Sequence, residues 1–533
     1  MKNTFITLVF LLICSTIFLQ EKPQKDAYIT TWGSTSRLSG DIVEIHPSGA
    51  LDFLAVREIA PRITSHTRHF LETFKNLDHQ KSEEVIITTS RSINTVLALN
   101  KFNKNALSLT RSENNENTMS LFFDAFSTAD LSRSGESILL DKFEANQNLK
   151  NFNGWISTNK SDKQIGVFYE FPLENNNLSG LGFCIFDSNF EIVKKDQVIF
   201  DQPKEDFFIS DIKLTTNGNF FIVTHQYDYK KEVRNPKPTT IYKFDGAELL
   251  EYNLKLQDYN LRDIKVEVQH NNFVLSGLIS RQNAKNRSGA YAIRIDSRTG
   301  RVMTETIFEF EEEALRNVRG SFNAEDHYFF RRVDRDKVDY SLEDLRLNDM
   351  FISENNEIFG VVEQQNEAVY FKKRLIQPKY KTKYKEKLYF NNNNILVYKI
   401  GSDGLLKWET VIEKRQRSKE DESIYLSIAA NLQDDFLYLI HNDDKRNYDE
   451  GGIHKNKNQL WSANSMDFRR CLSVCKVDVK TGEFIRYKLN NEHVSRFPLS
   501  PSLSCNSGSE NGVILHSRKG RRNLFGEIVF ISE

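Results

Sequence analysis

The chain has 533 residues, with 72 lysines and arginines against 73 aspartates and glutamates, and a formal net charge of −1. No overall field therefore steers it toward nucleic acid or a charged membrane. Its 39 phenylalanines and 19 tyrosines, against 10 prolines, exclude a disordered chain and favour a well-packed protein rich in strands. The length exceeds one ordinary core, unless the chain consists of repeats that pack only on their neighbours.

The N-terminal segment has the pattern of an export signal. About 15 apolar residues follow Lys2, and polar residues resume at Gln20; this run suits the core of a signal peptide and is short for a bilayer span. We predict a signal peptide over 1–20, export to the periplasm or cell surface, and no transmembrane segment after its removal. The alternatives are an uncleaved anchor and a lipoprotein attached through Cys14, although bulky Ile13 disfavours lipoprotein processing.

Four cysteines remain after Cys14, and an even number in an exported protein permits disulfides. Cys471 and Cys475 on one strand would be about 13 Å apart, beyond disulfide reach. The sequence therefore predicts that Cys505 pairs with Cys471 or Cys475. The alternative is four buried free thiols, Cys184 included.

A pair of hairpins recurs along the chain. One hairpin begins with an apolar strand, continues through a short turn with Asp, Ser or Gly, and ends in a strand whose apolar and polar residues alternate. Glycine supplies the positive φ that such tight turns need. The preceding hairpin ends in a strand with consecutive apolar residues, which indicates burial on both faces. The first kind occurs at 241–256, 291–302, 395–412 and 474–489, and the second has turns at 216–219, 270–272, 354–356 and 433–435.

The repeating unit is thus four strands, which predicts an all-β protein, a β-propeller of four-stranded antiparallel blades. Four units are clear and a fifth is weaker: 208–257, 261–310, 345–412 and 423–489, then 152–200. We expect strands at 27–31, 41–45 and 51–56 to complete a unit begun by 512–515 and 524–531, because ring closure removes sheet edges. We predict one domain over 27–533 with six to eight blades and a best estimate of seven; tandem β-sandwiches are the alternative.

Two glycines should mark the register of the repeat. Gly300 and Gly482 should have positive φ in turns between third and fourth strands.

The stretch 345–447 resembles uncharacterised exported propeller-like proteins of Bacteroidota. The carrying segments are LRLNDM at 345–350, ILVYKI at 395–400, DG at 403–404, Trp408 with IEKRQ at 412–416, and LYLIHNDD at 437–444. The resemblance implies a propeller fold and export, and no activity.

The Asp–Thr–Gly turns at 296–300 and 478–482 also resemble quinoprotein propeller repeats. Those repeats carry a tryptophan four residues after the glycine, and only Gly404 and Trp408 comply. The adjacent cysteine pair of the quinone pocket is missing, so we predict no cofactor.

The sequence carries no nucleophile elbow, no histidine pair with metalloprotease spacing and no phosphate-binding glycine loop. Loop length is more informative than these motifs. The segments 227–240, 280–288, 364–394 and 442–470 follow second strands and 311–344 joins two units, so all five should lie at one end of the blades. Long loops on one side of a rigid scaffold are typical of a binding face.

Polar residues where second strands reach that end form the predicted ligand or partner face, as a ring around the channel mouth. They are His225, Gln226, Tyr227, Arg281, Glu363, Gln364, His441, Asn442 and Asp443. Oxygen-bearing residues after the last of these strands are weak candidates for a calcium site. They are Asp443, Asp444, Asn447, Asp449 and Glu450.

Lysine and tyrosine alternate over 379–387. A solvated hairpin accounts for this segment, and a surface for an anionic glycan or partner is the next interpretation. The sequence as a whole predicts a non-enzymatic binding or assembly protein of the cell envelope, whose partner is an envelope protein or a glycan rather than nucleic acid. The alternative is a carbohydrate-active enzyme, a glycoside hydrolase or polysaccharide lyase on the same scaffold.

Overall fold

The computed structural model describes the chain from residue 27 to residue 530 with gaps. The described residues are 27–60, 67–85, 93–113, 118–144, 152–159, 161, 163–171, 178–203, 207–226, 239–256, 258–269, 271–281, 288–319, 345–376, 381–419, 421, 423–455, 460–464, 469–489, 496–506 and 512–530. The predicted signal peptide and Cys14 lie outside them. Within them, no helix has the length and apolar character needed to cross a membrane.

Eight sheets follow one another along the described chain, each built on four antiparallel strands in meander order, and two of them carry additional short strands. We number these sheets as blades 1 to 8. Blades 1 to 4 comprise β3 (Asp41–Pro47), β4 (Phe53–Ile59), β5 (Arg68–Lys75) and β6 (Asp78–Glu84); β7 (Ile93–Phe102), β8 (Asn105–Glu113), β9 (Thr118–Ser127) and β10 (Ile138–Glu144); β11 (Gly154–Asn159), β12 (Gln164–Phe171), β13 (Leu178–Phe186) and β14 (Ile192–Pro203); and β15 (Phe207–Leu214), β16 (Phe220–Gln226), β17 (Thr240–Phe244) and β18 (Leu249–Asn253).

The second half of the ring contains the longest strands. Blades 5 to 8 comprise β19 (Tyr259–Gln269), β20 (Asn272–Arg281), β21 (Gly289–Asp296) and β22 (Val302–Glu309); β23 (Leu345–Ile352), β24 (Ile358–Ile376), β25 (Lys381–Ile400) and β26 (Leu406–Ile412); β28 (Ala429–Gln433), β29 (Phe436–Asp444), β31 (Arg470–Asp478) and β32 (Phe484–Leu489); and β33 (Cys505–Asn506), β34 (Gly512–Lys519), β35 (Arg522–Phe530) and β1 (Ala27–Trp32). The short strands β2 (Ser36–Arg37), β27 (Gln416–Lys419) and β30 (Ala463–Asn464) and the helix α1 (Glu312–Arg319) complete the elements used below.

The ring closes through strands from both ends of the chain. The strand β1 pairs with β35 as the outermost strand of blade 8. Eight apolar cores lie between successive blades, and the last of them joins Phe525 of blade 8 to Phe53 of blade 1. This continuous ring is a β-propeller and excludes tandem sandwiches.

The best estimate of seven blades was therefore wrong, although eight lies within the predicted range. The strands at 41–45 and 51–56 do not complete the last blade but begin blade 1, because β33, β34 and β35 leave only one position open. Blade 2 also escaped the sequence analysis. Its first hairpin turns at Asn103, which has φ +53 without a glycine, and the neighbouring outer strand β6 has no apolar residue at all.

The weaker fifth unit is confirmed as blade 3, and the glycine predictions are confirmed as well. Gly300 has φ +73 between β21 and β22, and Gly482 has φ +76 between β31 and β32. The second strands are buried on both faces, as expected from their consecutive apolar residues.

The predicted disulfide is wrong, since the four described cysteines are free. Cys475 packs in the core between blades 6 and 7. Cys505 packs against the core between blades 8 and 1. Blades 7 and 8 therefore separate the two thiols, and packed sheets lie about 10 Å apart. Cys471 instead donates to the Asp443 carbonyl over 3.5 Å.

Candidate functional site at the long-loop end of blades 6 and 7

The two ends of the blades differ as the sequence predicted. Each second strand runs away from a tight turn, so Arg281, Gln364 and Asn442 lie toward one end of blades 5, 6 and 7. The turns between first and second strands lie at the opposite end. We call the first end the long-loop end and the second the tight-turn end.

Several segments predicted as loops have regular structure. The segment 364–394 continues β24 and β25 as a two-stranded ribbon, in register up to Ile376 and Lys381. The segment 311–344 begins with α1, and 442–470 contains the end of β29, a 3₁₀ turn over Lys445–Asn447 and β30. Residues 227–238, with Tyr227, and the side chains of His225 and Gln226 lie outside what the structure describes.

Among the described residues of blades 6 and 7, Glu363 forms the first of two buried ion pairs at this end. Its Oε1 accepts from the Nζ of Lys414, and both side chains have no exposed area. Its Oε2 accepts four further hydrogen bonds, each 2.8–2.9 Å long. The donors are the side chains of Asn348, Gln365, Asn392 and Ser427. Burial lowers the pKa of Lys414, and the charge of Glu363 opposes that shift.

Asp443 and Arg486 form the second buried ion pair, on the face of blade 7 that packs against blade 6. The Asp443 carboxylate also accepts from the Tyr448 hydroxyl at 2.7 Å and from the Asn447 amide at 2.8 Å. Burial alone would lower the pKa of Arg486, but the nearby Tyr448 and Asp443 outweigh it and raise that pKa. The guanidinium also donates to the Glu413 carbonyl, next to Lys414, so the two pairs form one polar cluster.

His441 lies beside the second pair and is fully buried. Its Nε2 accepts from Arg486 over 3.3 Å, and its Nδ1 has no hydrogen-bond partner. Burial and then the charge of Arg486 hold the pKa of His441 well below its usual value. The imidazole is therefore neutral in the folded protein.

The residues predicted as a ligand or partner face do not lie at the surface in blades 6 and 7. Glu363, Gln364, His441, Asn442 and Asp443 are all buried. The covering elements are β27 and β30, which extend sheet 6 beside the ribbon. Asn442 links blades 7 and 8. Its side-chain amide donates to the carbonyl of Leu499 and its side-chain oxygen accepts from the N–H of the same residue.

Arg281 of blade 5 is exposed, as expected. It forms two hydrogen bonds to Glu309, of 2.8 and 2.9 Å. An exposed pair of this kind contributes little to stability, and its charge is locally balanced.

The proposed calcium ligands have other partners. The Asp444 carboxylate accepts two hydrogen bonds from the guanidinium of Arg446, and an Asp449 oxygen accepts one from the backbone N–H of Ile453. Neighbours on a strand, Asp443 and Asp444 lie on opposite faces. Among the described residues no group of three histidines, cysteines or acidic residues is placed to hold a metal ion.

An exposed aromatic residue stands on this buried cluster. Asn447, fixed by Asp443, bonds both the N–H and the carbonyl of Trp461, at 2.8 and 3.0 Å. The Trp461 side chain is 41% exposed, and the Arg446 guanidinium lies 3.7 Å from its ring centroid. The buried network therefore holds a large aromatic side chain at the surface.

A second aromatic residue lies nearby at the base of the ribbon. Tyr389 pairs with Lys419 across β25 and β27, and Arg417 lies 4.5 Å from its ring centroid. The strand β27 in turn pairs with β30, two residues beyond Trp461. We call Tyr389, Arg417, Lys419, Arg446 and Trp461 the basic–aromatic surface. Sequence reasoning missed it, because these residues come from three separate segments.

The central channel carries another feature that the sequence did not disclose. Five first strands have a register shift near mid-strand: β3, β7, β15, β19 and β23. The residues after three of these shifts are Asp211, Lys265 and Asp349 on neighbouring blades. Burial raises the pKa of Asp349, with Lys265 opposing; burial also raises that of Asp211, opposed first by Lys213 and also by Lys265. A bulge re-aims side chains, and Lys265 is close enough to both carboxyls to oppose the rise of each pKa.

The tight-turn end has a repeated contact between blades. Lys243, Arg294 and Lys399 occupy equivalent places in third strands, two residues before the turn, and all three are buried. Each donates to backbone carbonyls of the next blade. The acceptors are Arg298 at 3.1 Å, Asn356 and Ser402 at 2.5 and 3.2 Å, and Val479 at 3.0 Å. Overlaying the Lys-Phe-Asp and Arg-Ile-Asp segments could have disclosed this pattern.

Comparisons with known proteins give only distant structural likenesses. No family model and no curated protein matches the chain. Among solved structures, it is similar to the β-propeller domain of the trilobed protease from Pyrococcus furiosus, with TM-score 0.33 and 9% identity over 88% of this chain and 99% of that one. It is also similar to prolyl oligopeptidase B from Galerina marginata, with TM-score 0.35 and 11% identity over 91% of this chain and 55% of that one.

A third similar structure is the α-L-arabinanase from Penicillium chrysogenum, with TM-score 0.31 and 12% identity over 62% of this chain and 94% of that one. All three TM-scores are below 0.5.

Proposed function

We propose that this chain is an exported, non-enzymatic binding protein of the cell envelope that engages its partner through the long-loop end of blades 6 and 7. The observation that carries the proposal is that buried side chains hold Trp461 in place at the surface. Its exposed ring stands on Asn447, and Asn447 is fixed by the buried pair of Asp443 and Arg486. Aromatic and arginine side chains held rigidly at a surface are typical of the energetic centres of interfaces.

The ribbon beside Trp461 supports the same interpretation. From Gln365 to Ile376 it continues for 12 residues beyond the blade, about 40 Å at ~3.3 Å per residue. An isolated two-stranded ribbon is at best marginally stable in water. A partner that packs on the ribbon would supply additional burial and stabilise it.

The test is a variant in which 370–387 is replaced by Asn-Gly, which keeps the pairing of Val369 with Leu388 and of β25 with β27. The free energy of unfolding should change little, because the entropic cost of closing a loop depends only weakly on its length. Crosslinking of the tagged chain in its source cells should capture envelope partners with the native chain and lose them with the shortened one.

The control for that experiment is Lys480→Gln with Asp435→Asn, an exposed ion pair at the tight-turn end. It should capture the same partners as the native chain. If the shortened variant also retains every partner, binding does not use the ribbon and the proposal is wrong.

Export has its own test. Mass spectrometry of the native protein should show an N-terminus near residue 21, because the apolar segment after Lys2 has the length of a signal-peptide core. An intact N-terminus from Met1 would contradict export by cleavage.

A second candidate function rests on the channel carboxylates. Asp211 and Asp349 have raised pKa values next to Lys265, and carboxyls with raised pKa are candidates for general acids. This favours a glycoside hydrolase or polysaccharide lyase as the alternative. Release of reducing ends from a panel of polysaccharides, abolished by Asp349→Asn, would support it; no release by the native chain would exclude it for that panel.

A further inference from the structure

Trp461 belongs to a short segment that is fixed along its whole length. The Leu460 carbonyl accepts from Nη1 of Arg415 over 3.3 Å, and the Ala463 N–H donates to the Arg415 carbonyl over 3.0 Å. Between these two contacts, buried Asn447 bonds both the N–H and the carbonyl of Trp461. The backbone beneath the exposed ring is therefore held in place from both sides.

One face of the Trp461 ring is covered by the chain itself. The guanidinium carbon of Arg446 lies 3.7 Å from the ring centroid, and its nitrogens donate to Asp444 at 2.9 and 2.6 Å. Asp444 is buried, so a fixed carboxylate holds this cation against the ring. The side chain of Trp461 is nevertheless 41% exposed. Its exposed area therefore lies on the opposite ring face and the ring edge.

The surroundings of this ring are polar. Among the described residues of blades 6 and 7, Trp461 is the only strongly exposed large apolar side chain at the long-loop end. Lys455 donates to the Arg446 carbonyl over 3.3 Å, and Lys445 and Arg415 are at least partly exposed beside it. The centre of a protein interface is normally surrounded by further apolar contacts. A single ring in polar surroundings instead matches a ligand that is apolar on one face and carries hydroxyls at its edge.

A second ring of the basic–aromatic surface lies at the other end of β27. Tyr389 lies beside the C-terminal end of this strand, and the Arg417 guanidinium lies 4.5 Å from its ring centroid. Because Gln416 pairs with Ala463, Trp461 lies beyond the N-terminal end. The two rings are about 16 Å apart along the strand direction, at ~3.3 Å per residue. One small molecule cannot contact both, but an extended chain of rings can.

Polar side chains lie between the two rings. In β27 Arg417 and Lys419 are half-buried and face outward, whereas Gln416 and Ser418 alternate with them and are buried. Asn391, opposite Arg417 across β25 and β27, is also half-buried. Guanidinium, ammonium and amide groups donate hydrogen bonds that hydroxyl oxygens accept. This stretch therefore suits the hydroxyl-bearing edge of a sugar chain.

We propose that the basic–aromatic surface binds a linear glycan, with one pyranose ring stacked on Trp461 and another on Tyr389. A pyranose with equatorial hydroxyls presents C–H groups on its faces, and these suit the negative face of an aromatic ring. Since Arg446 is already paired with Asp444, stacking rather than charge should dominate. The inference rests on the proposed function and names the chemistry of its partner.

The experiment titrates cellohexaose, chitohexaose and xylohexaose into the full chain purified from its source cells. At least one should bind, and its Kd should change less than about twofold at about 1 M salt, where the Debye length is about 3 Å. Trp461→Ala should raise that Kd at least about tenfold, and Trp461→Phe, which keeps a ring, should raise it less. Binding of none of the three, loss of binding at high salt, or an unchanged Kd in Trp461→Ala would overturn the inference.

The matched control is Phe484→Ala. Phe484 is 37% exposed on β32 near the tight-turn end, and its loss should leave the Kd within about twofold because it lies far from the surface. Denaturation of each variant shows whether folding is intact. Tyr389→Ala gives a second, independent measurement and should raise the Kd at least about threefold. Equal losses in Phe484→Ala and Trp461→Ala, or an unchanged Kd in Tyr389→Ala, would contradict the two-ring site.

The two proposals fail differently. If no glycan binds but Trp461→Ala loses the envelope partners that crosslinking captures, the surface binds a protein, and only the glycan inference is wrong. If Trp461→Ala and the shortened ribbon both keep every partner, the proposed function is wrong.

Discussion

The two ends of the blades bury positive charge in different ways. At the tight-turn end Lys243, Arg294 and Lys399 donate to backbone carbonyls of the next blade, and the same contact recurs in blades 4, 5 and 6. At the long-loop end of blades 6 and 7, Lys414 and Arg486 instead pair with buried carboxylates. The repeated contact belongs to the scaffold, whereas the ion-pair cluster of blades 6 and 7 lies at the base of the ribbon, beneath Trp461.

The largest expected effect comes from breaking the buried pair at the long-loop end. Glu363→Gln leaves Lys414 charged, buried and unpaired, and should lower the free energy of unfolding by about 3–5 kcal/mol. Chemical denaturation measures it. The double variant Glu363→Gln, Lys414→Met should recover part of the loss, because it removes the unpaired charge and keeps an amide oxygen for the donors around Oε2. Asp435→Asn at the exposed pair with Lys480 should cost less than about 1 kcal/mol. A loss below that level for Glu363→Gln would refute the importance of the pair.

The second-largest difference should appear when glycines in turns at the two ends are replaced by alanine. Gly482 at the tight-turn end has φ +76, and an added Cβ would lie 2.8 Å from Trp408. Gly520, in the β34–β35 turn at the long-loop end, has φ +59 and nothing within 4 Å. We expect Gly482→Ala to cost about 2–3 kcal/mol and Gly520→Ala about 1 kcal/mol, measured by denaturation. Equal costs would mean that Trp408 moves aside.

The repeated contact at the tight-turn end should matter less than the ion pair. Lys399→Met keeps the aliphatic stem but leaves the Val479 carbonyl without that donor and Glu357 without its partner. The expected loss in unfolding free energy is about 1–3 kcal/mol. A loss as large as that of Glu363→Gln would contradict the expected difference in stability contribution between the two ends.

The smallest effect is a pH dependence. Burial lowers the pKa of His516 to about 4 and that of His441 well below its usual value. The unfolded chain binds protons near pH 6.5 that the folded chain does not, so acid favours unfolding. Stability present above pH 6.5 should fall by about 1 kcal/mol per histidine on going to pH 5.5. Denaturation at both pH values should show about half of this loss in His516→Asn, and an unchanged loss would contradict the assignment.

At the candidate site, the sequence predicts the position of residues along the blades but not their burial. Glu363, His441 and Asp443 were correctly placed at the long-loop end, because strand direction follows from the order of hairpins. Their exposure was not, because the covering strands β27 and β30 come from segments that look like loops. The channel residues Asp211 and Asp349 escaped notice because a bulge leaves no mark in the alternation of residues.

The sequence by itself determined the four-strand unit and the direction of its strands, since period-two alternation and glycine turns are local properties. It also determined the positive φ of Gly300 and Gly482. Only the tertiary structure decided the number of blades, because ring closure depends on packing between sheets whose polar outer strands, such as β6, carry no apolar signal. It likewise decided which polar residues are buried. Glu363 and Lys414 are 51 residues apart, and only the packing of blades 6 and 7 brings the charges into one cluster beneath Trp461.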